Sequence, residues 1–164
     1  MQITNFKDLY IAELQELVSV EQQLGEALAR MASVAAHPSL KQAFETHRRE
    51  TLVQGERLRA ILNRHNAAVE AHTDQALQAM IKEAEKMIDI LSGDDLRDAG
   101  LLASAQKIEH YEIAAYGSAA ALAGQLELRD DQQLLHETLE EEKDADELLT
   151  TLAKSEINQD ALAA

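Results

Sequence analysis

Leu101-Leu102-Ala103-Ser104-Ala105-Gln106-Lys107-Ile108-Glu109-His110-Tyr111-Glu112-Ile113-Ala114-Ala115-Tyr116-Gly117-Ser118-Ala119-Ala120-Ala121-Leu122-Ala123 is the most informative stretch of the chain. Steps of three and four residues pick out Leu101, Ala105, Ile108, Glu112, Ala115, Ala119 and Leu122, the spacing of one helix face. That face is apolar except at its centre, where Glu112 stands. The same design recurs in Tyr10, Leu14, Leu17, Glu21, Leu24, Leu28, Met31 and in Leu135, Thr138, Glu142, Ala145, Leu149, Leu152. A further stripe reads Leu40, Phe44, His47, Thr51, Gln54, Leu58 and Ile61, with Glu50 one turn after His47. Each of the four segments therefore carries an acidic residue at or beside its inward stripe.

Breakers between these segments set their limits. Thr4 or Asn5 can cap a first helix running to about Met31–Val34, which stops before Pro38. Ser39 is expected to cap a second helix from Leu40 to about Arg64. A shorter helical stretch spans about Asp74 to Leu91 and is closed by Ser92-Gly93-Asp94-Asp95. A third long helix covers about Asp95 to Ala123, and Asp130 is expected to cap a fourth that ends near Lys154. Short links after the first and third long helices, with a long connection between the second and third, describe two antiparallel hairpins. The expected fold is all-α, a ferritin-like four-helix bundle whose long crossover carries a short extra helix. Residues 1–155 form one domain in this reading, and residues 156–164 a tail.

Composition narrows the function classes. The 164 residues include one Pro, six Gly and 3% aromatics, and Ala, Leu, Glu, Gln and Lys dominate, which is helix chemistry. Thirty acidic against 15 basic residues leave a formal charge of -15, a surface that repels phosphate backbones, so no nucleic-acid partner is expected. The absence of cysteine excludes disulfides, thiolate metal sites and cysteine nucleophiles. With no long apolar run and no signal-like N-terminus, the expected setting is cytoplasmic, without a membrane partner.

The heights of the acidic residues agree. At a rise of about 1.5 Å per residue, Glu21 lies roughly 18 Å before the end of its helix and Glu50 roughly 17 Å after the start of the next. Glu112 and Glu142 match in the same way in the second hairpin. His47 and Glu109 each lie one turn from a member of the set. Buried carboxylates are costly without a partner, and several in one apolar layer repel unless protons or cations neutralise them. Glu21, His47, Glu50, Glu109, Glu112 and Glu142 hold five carboxylates and one imidazole. Two divalent ions would leave about one net negative charge on that set. An oxygen-rich set with one nitrogen suits iron first, with manganese or zinc as alternatives.

Competing readings attach to the same residues. Any one of these Glu, taken alone, reads as a solvated bundle edge. Lys107, Lys143 and Arg48 could instead clasp some of the carboxylates in salt bridges. His110, pointing about 100° from Glu109, reads as packing or outer support. Tyr10, Tyr111 and Tyr116, like Met31, Met80 and Met87, read as core. Gly100 and Gly117 weaken the third helix and are candidate points of close helix approach.

Through Glu109-His110-Tyr111-Glu112-Ile113-Ala114-Ala115-Tyr116-Gly117 the chain resembles the YciF-like family of ferritin-like proteins. Phe6-Lys7-Asp8-Leu9-Tyr10, Glu21-Gln22-Gln23-Leu24, His47-Arg48-Arg49-Glu50-Thr51, Asp98-Ala99-Gly100-Leu101 and Glu141-Glu142-Lys143 agree, so the resemblance spans about residues 5 to 155. It implies a rubrerythrin-like bundle, usually a homodimer, associated with bacterial stress responses. It also maps the family's metal ligands onto Glu21, His47, Glu50, Glu109, Glu112 and Glu142. Ferritin-like enzymes show Glu-x-x-His on their second and fourth helices. Here His47 precedes Glu50, and Ala145 follows Glu142. The expected function is a stress-associated di-metal protein handling a small oxidant such as peroxide, or ferrous iron. The alternative is a non-catalytic dimeric stress protein or interaction module with at most a structural metal.

Overall fold

The computed structural model describes residues 3–164, so Met1 and Gln2 of the expected domain lie outside the described residues. Two long antiparallel hairpins form the body: α1 (Phe6–Val34) with α2 (Pro38–Arg64), and α4 (Asp94–Gln125) with α5 (Arg129–Leu152). Between them runs the crossover, carrying α3 (Gln75–Ile90), which packs on α4 and α1. The all-helical, ferritin-like bundle expected from the periodicity is thus the observed architecture.

Local chemistry explains the helix ends and corrects two of them. Asn5 caps α1 by accepting from the Asp8 amide, and Asp74 caps α3 through Leu77. Ser39 does not cap α2. His37 does, its imidazole accepting from the Ser39 amide at 3.3 Å, with Pro38 in the first helical turn where its missing N–H costs nothing. Nor does Asp130 cap α5. The helix begins at Arg129 without a side-chain cap, and Asp130 and Asp131 lie in the first turn, where negative charge complements the helix dipole. Gly93 turns the chain into α4 with φ of 88°, a conformation open to glycine. The α1–α2 link is held by Asp98 of α4, which is buried and accepts from the amides of Ala36 at 3.0 Å and His37 at 2.6 Å. At the opposite end, Asp131 accepts from Tyr10 (3.0 Å) and Arg64 (2.5 Å), joining α5 to α1 and α2.

The last residues are not a patternless tail. The chain passes α5 through a π-helical turn, Ala153–Ile157, into α6 (Asn158–Ala163). Ile157 is 1% exposed in the core, and Glu156 accepts from Ser39 at 3.2 Å. A single apolar anchor in a short polar segment gives no periodicity to read, which is why the pattern alone suggested a tail.

The core itself falls into two separate apolar clusters. One gathers Leu24, Leu28, Phe44, Leu101, Ile108 and Leu149 with their neighbours. The other gathers Tyr10, Leu14, Leu17, Leu58, Tyr116 and Leu135. Between them the inward positions are Glu21, His47, Thr51, Gln54, Glu109, Glu112, Thr138 and Glu142, all buried. On α4 the buried face drifts along the helix: beyond Glu112 it continues through Tyr116, Ala119, Ala120 and Ala123, while Ala115 and Leu122 are only half-buried. A straight helix of 3.6 residues per turn slips about 20° per heptad against a strict 3.5 repeat. Over the 32 residues of α4 that slip moves the face by one position. Among the described residues, no helix is long and apolar enough to cross a membrane.

Candidate metal centre

Helix α1 supplies Glu21, α2 supplies His47, α4 supplies Glu109 and Glu112 one turn apart, and α5 supplies Glu142. His47, Glu109, Glu112 and Glu142 each offer a ligand atom, and these atoms all lie within 4.8 Å of one another. His47 Nε2 is 3.3 Å from Glu109 and 3.6 Å from Glu142.

The other two expected ligands are placed differently. Glu21 is buried beside the four, and one of its oxygens accepts a short hydrogen bond from Tyr116. Glu50 is not in the buried layer. Its side chain is 45% exposed and lies 3.5 Å from His47 Nδ1 at the outer edge of the centre. On α2 the inward position is taken by His47, and Glu50, three residues on, is turned toward the α5 side.

Electrostatics make the layer costly. Burial pushes the Glu112 carboxyl well above its usual 4.5, and the charge of Glu142 beside it pushes it further. Burial and Glu142 act likewise on Glu21, opposed by the Tyr116 hydroxyl. Glu109 is pushed up by burial to about 8, against the pull of His47, and burial also raises Glu142. For His47 burial works downward, yet Glu109, followed by Glu50, Glu142 and Glu21, lifts it to about 9. Such a layer holds protons when nothing else neutralises it.

Cationic side chains do not take that place. Lys143 pairs with Glu140, Arg48 donates to the carbonyl of Gly25, and Lys107 is exposed. Among the described residues, His47 is the cationic partner of the buried carboxylates. Both oxygens of Glu112 and of Glu142, Oε2 of Glu21 and of Glu109, and both His47 nitrogens have no hydrogen-bond partner. Orphaned buried acceptors at this density require a reason. Carboxylate oxygens around one imidazole are the donors that hard divalent ions take, so the residues fit the expected cations.

Two residues acquire roles that the spacing did not assign. Tyr116 is core, as expected, but its hydroxyl also fixes the Glu21 carboxylate. The signal was present, because Tyr116 lies four residues after Glu112 and so on the same face. Glu141, half-buried on α5, is gripped by Arg57 at 2.6 and 2.8 Å and by Gln54 at 3.1 Å. His110, read from sequence as packing or outer support, is a surface residue, 69% exposed and 3.3 Å from Asp146. Tyr111 is only partly buried and donates to Asp74 at 2.5 Å.

Comparison with known proteins places this arrangement. Residues 5–162 match the family described as a domain of unknown function, DUF892. The protein YciF of Escherichia coli (strain K12) is 41% identical over 162 residues, covering 98% of either chain. The crystal structure of the E. coli stress protein YciF is similar with a TM-score of 0.90, covering 95% of this chain and 99% of that one. YcfI from Rhodopseudomonas palustris has a TM-score of 0.89 at 33% identity, covering 92% of this chain and 96% of that one. On full-length sequence identity and a shared helical bundle, the chain belongs to the DUF892 family, that of the YciF-like proteins.

Proposed function

We propose that this protein is a stress-response bundle that binds two divalent cations in its buried layer, iron first and manganese or zinc as alternatives, and handles peroxide or ferrous iron there. One observation carries the reading: a layer of buried carboxylates sandwiched between two apolar clusters, with six of the eight oxygens of Glu21, Glu109, Glu112 and Glu142 left without hydrogen-bond partners. His47, Glu109, Glu112 and Glu142 would hold the ions, with Glu21 completing the set from α1. Tyr116 orients Glu21, and the apolar clusters above and below exclude bulk water. Iron, when bound, would supply the redox couple for a small oxidant. The chain forms a homodimer in this reading, which sedimentation tests directly.

A second reading is favoured by one feature of the donor set. His47 is its single nitrogen, and Ala145 stands one turn after Glu142. On that reading the metal is structural, neutralising the layer without turnover. Metal analysis of protein purified without chelator tests binding, and calorimetry in two buffers adds a second measure, since loading must release the protons that the raised carboxyls hold. Peroxide consumption by the ferrous protein, compared with Glu21→Ala and Glu112→Ala, separates the two readings. A protein that holds no metal and releases no protons on titration with Fe2+ or Mn2+ ends both.

A further inference from the structure

We propose that the cleft between α2 and α5 is the portal by which divalent cations reach the buried centre, with Glu50 the residue that passes them inward. The inference rests on the metal-binding reading above. The cleft has a volume of about 170 Å³, and two members of the centre, His47 and Glu109, line it together with Glu50, Glu141, Asp144 and Leu148. The His47 and Glu109 side chains are only 7% and 2% exposed. Both carry buried atoms that no hydrogen bond satisfies: the two His47 nitrogens and Glu109 Oε2. A cavity lined by the residues that carry such ligand atoms leads from solvent to the edge of the centre.

The mouth shows what the route admits. Glu50 is close to half exposed, yet its Oε2 is 3.5 Å from His47 Nδ1. One carboxylate therefore touches solvent and the centre's nitrogen at once. Glu141 is already held by Arg57, whereas among the described residues Glu50 pairs with no lysine or arginine, only with the His47 imidazole, and Asp144 forms no ion pair. Apart from His47, each ionisable side chain on the cleft is acidic, so the local potential draws cations and repels anions of similar size. Glu50 thus serves as a transfer ligand rather than a resident one, which explains why it lies outside the four-residue cluster although the sequence places it beside His47.

Stopped-flow quenching of tyrosine fluorescence by Co2+ measures loading of the full chain, chelator competition measures unloading, and equilibrium dialysis measures ions bound. Glu50→Gln should slow loading about tenfold, within the range for electrostatic steering, with the number of bound ions unchanged. Leu148→Lys, at an exposed position where folding is not at stake, puts positive charge at the mouth. It should slow loading and unloading by a similar factor, so that affinity stays within about threefold, because a barrier on a route acts equally in both directions. Glu83→Gln, exposed on α3, should change neither rate. Loading rates equal to wild type in both mouth variants would overturn the portal while leaving the metal centre standing. Loss of a bound ion in Glu50→Gln would overturn it too, by making Glu50 a resident ligand. A wild-type protein that takes up no Co2+ would remove the metal-binding reading and the portal with it.

Discussion

Replacing Glu112 by leucine should stabilise the metal-free protein while abolishing much of its response to metal. Glu112 is 0% exposed, and neither of its oxygens has a hydrogen-bond partner. A buried polar group left without a hydrogen-bond partner costs about 1–3 kcal/mol, which an apolar residue of similar volume does not carry. Unfolding entropy of about 2.1 cal/mol/K per residue, over the 164 residues, converts this to a rise in Tm of about 3–9 °C. The gain must also depend on pH. Below about pH 4.5, the ordinary value of the group, its carboxyl is neutral in the folded and unfolded chains alike. Above it the unfolded chain ionises while the buried carboxyl keeps its proton, so wild type loses this group's share of stability as pH rises, on top of what Glu21, Glu109 and Glu142 cost in both proteins. The gap in Tm should therefore open upward from about pH 4.5. Metal should act in the opposite sense: at a hundredfold excess over Kd, each site adds about 2.7 kcal/mol to wild type, or about 8 °C. The variant should recover less than half of the wild-type shift. Calorimetry from pH 4 to 8, with and without Mn2+, reads all of this. A gap that is flat in pH, or a variant that melts below wild type at pH 7, would show that Glu112 is already satisfied in the folded chain.

Other substitutions probe the frame around the centre. Gly117→Ala introduces a Cβ with no atom within 4 Å in a helix interior, so helix propensity should raise stability by about 1 kcal/mol, or a Tm about 3 °C higher. Asp98→Ala strands the amides of Ala36 and His37 and should cost about 3 kcal/mol in denaturant titration, with Asp98→Asn recovering part of it. Tyr116→Phe removes the donor to Glu21. It should destabilise the metal-free chain by about 1–3 kcal/mol without changing the number of ions bound, as measured by elemental analysis.

Much of this was legible in advance because long helices report their buried face through spacing. The stripes of α1 and α2 are buried at each position named, from Tyr10 to Met31 and from Leu40 to Ile61. Matching heights followed from the rise per residue and short links, and they put Glu21, Glu112 and Glu142 in one layer. Less legible were features made by neighbours. Gly100 leaves room for the Leu91 side chain of the link just past α3 rather than for another helix, and Gly117 has no neighbour within 4 Å of an added Cβ. Asp98 and Asp131 are buried because a distant loop or helix end meets them, and no local pattern announces that.

Chain chemistry alone was enough for the four long helices, their pairing into hairpins and the acidic band across their middle, because each depends on periodicity and on distance along one rod. Whether Glu50 or His47 of α2 faces inward, whether lysines and arginines clasp the acids, and where the centre opens to solvent depend on the rotation of each rod against its neighbours. That rotation is set by packing among α1, α2, α4 and α5 together, where a slip of about 20° per heptad is enough to move a side chain from the centre to the rim.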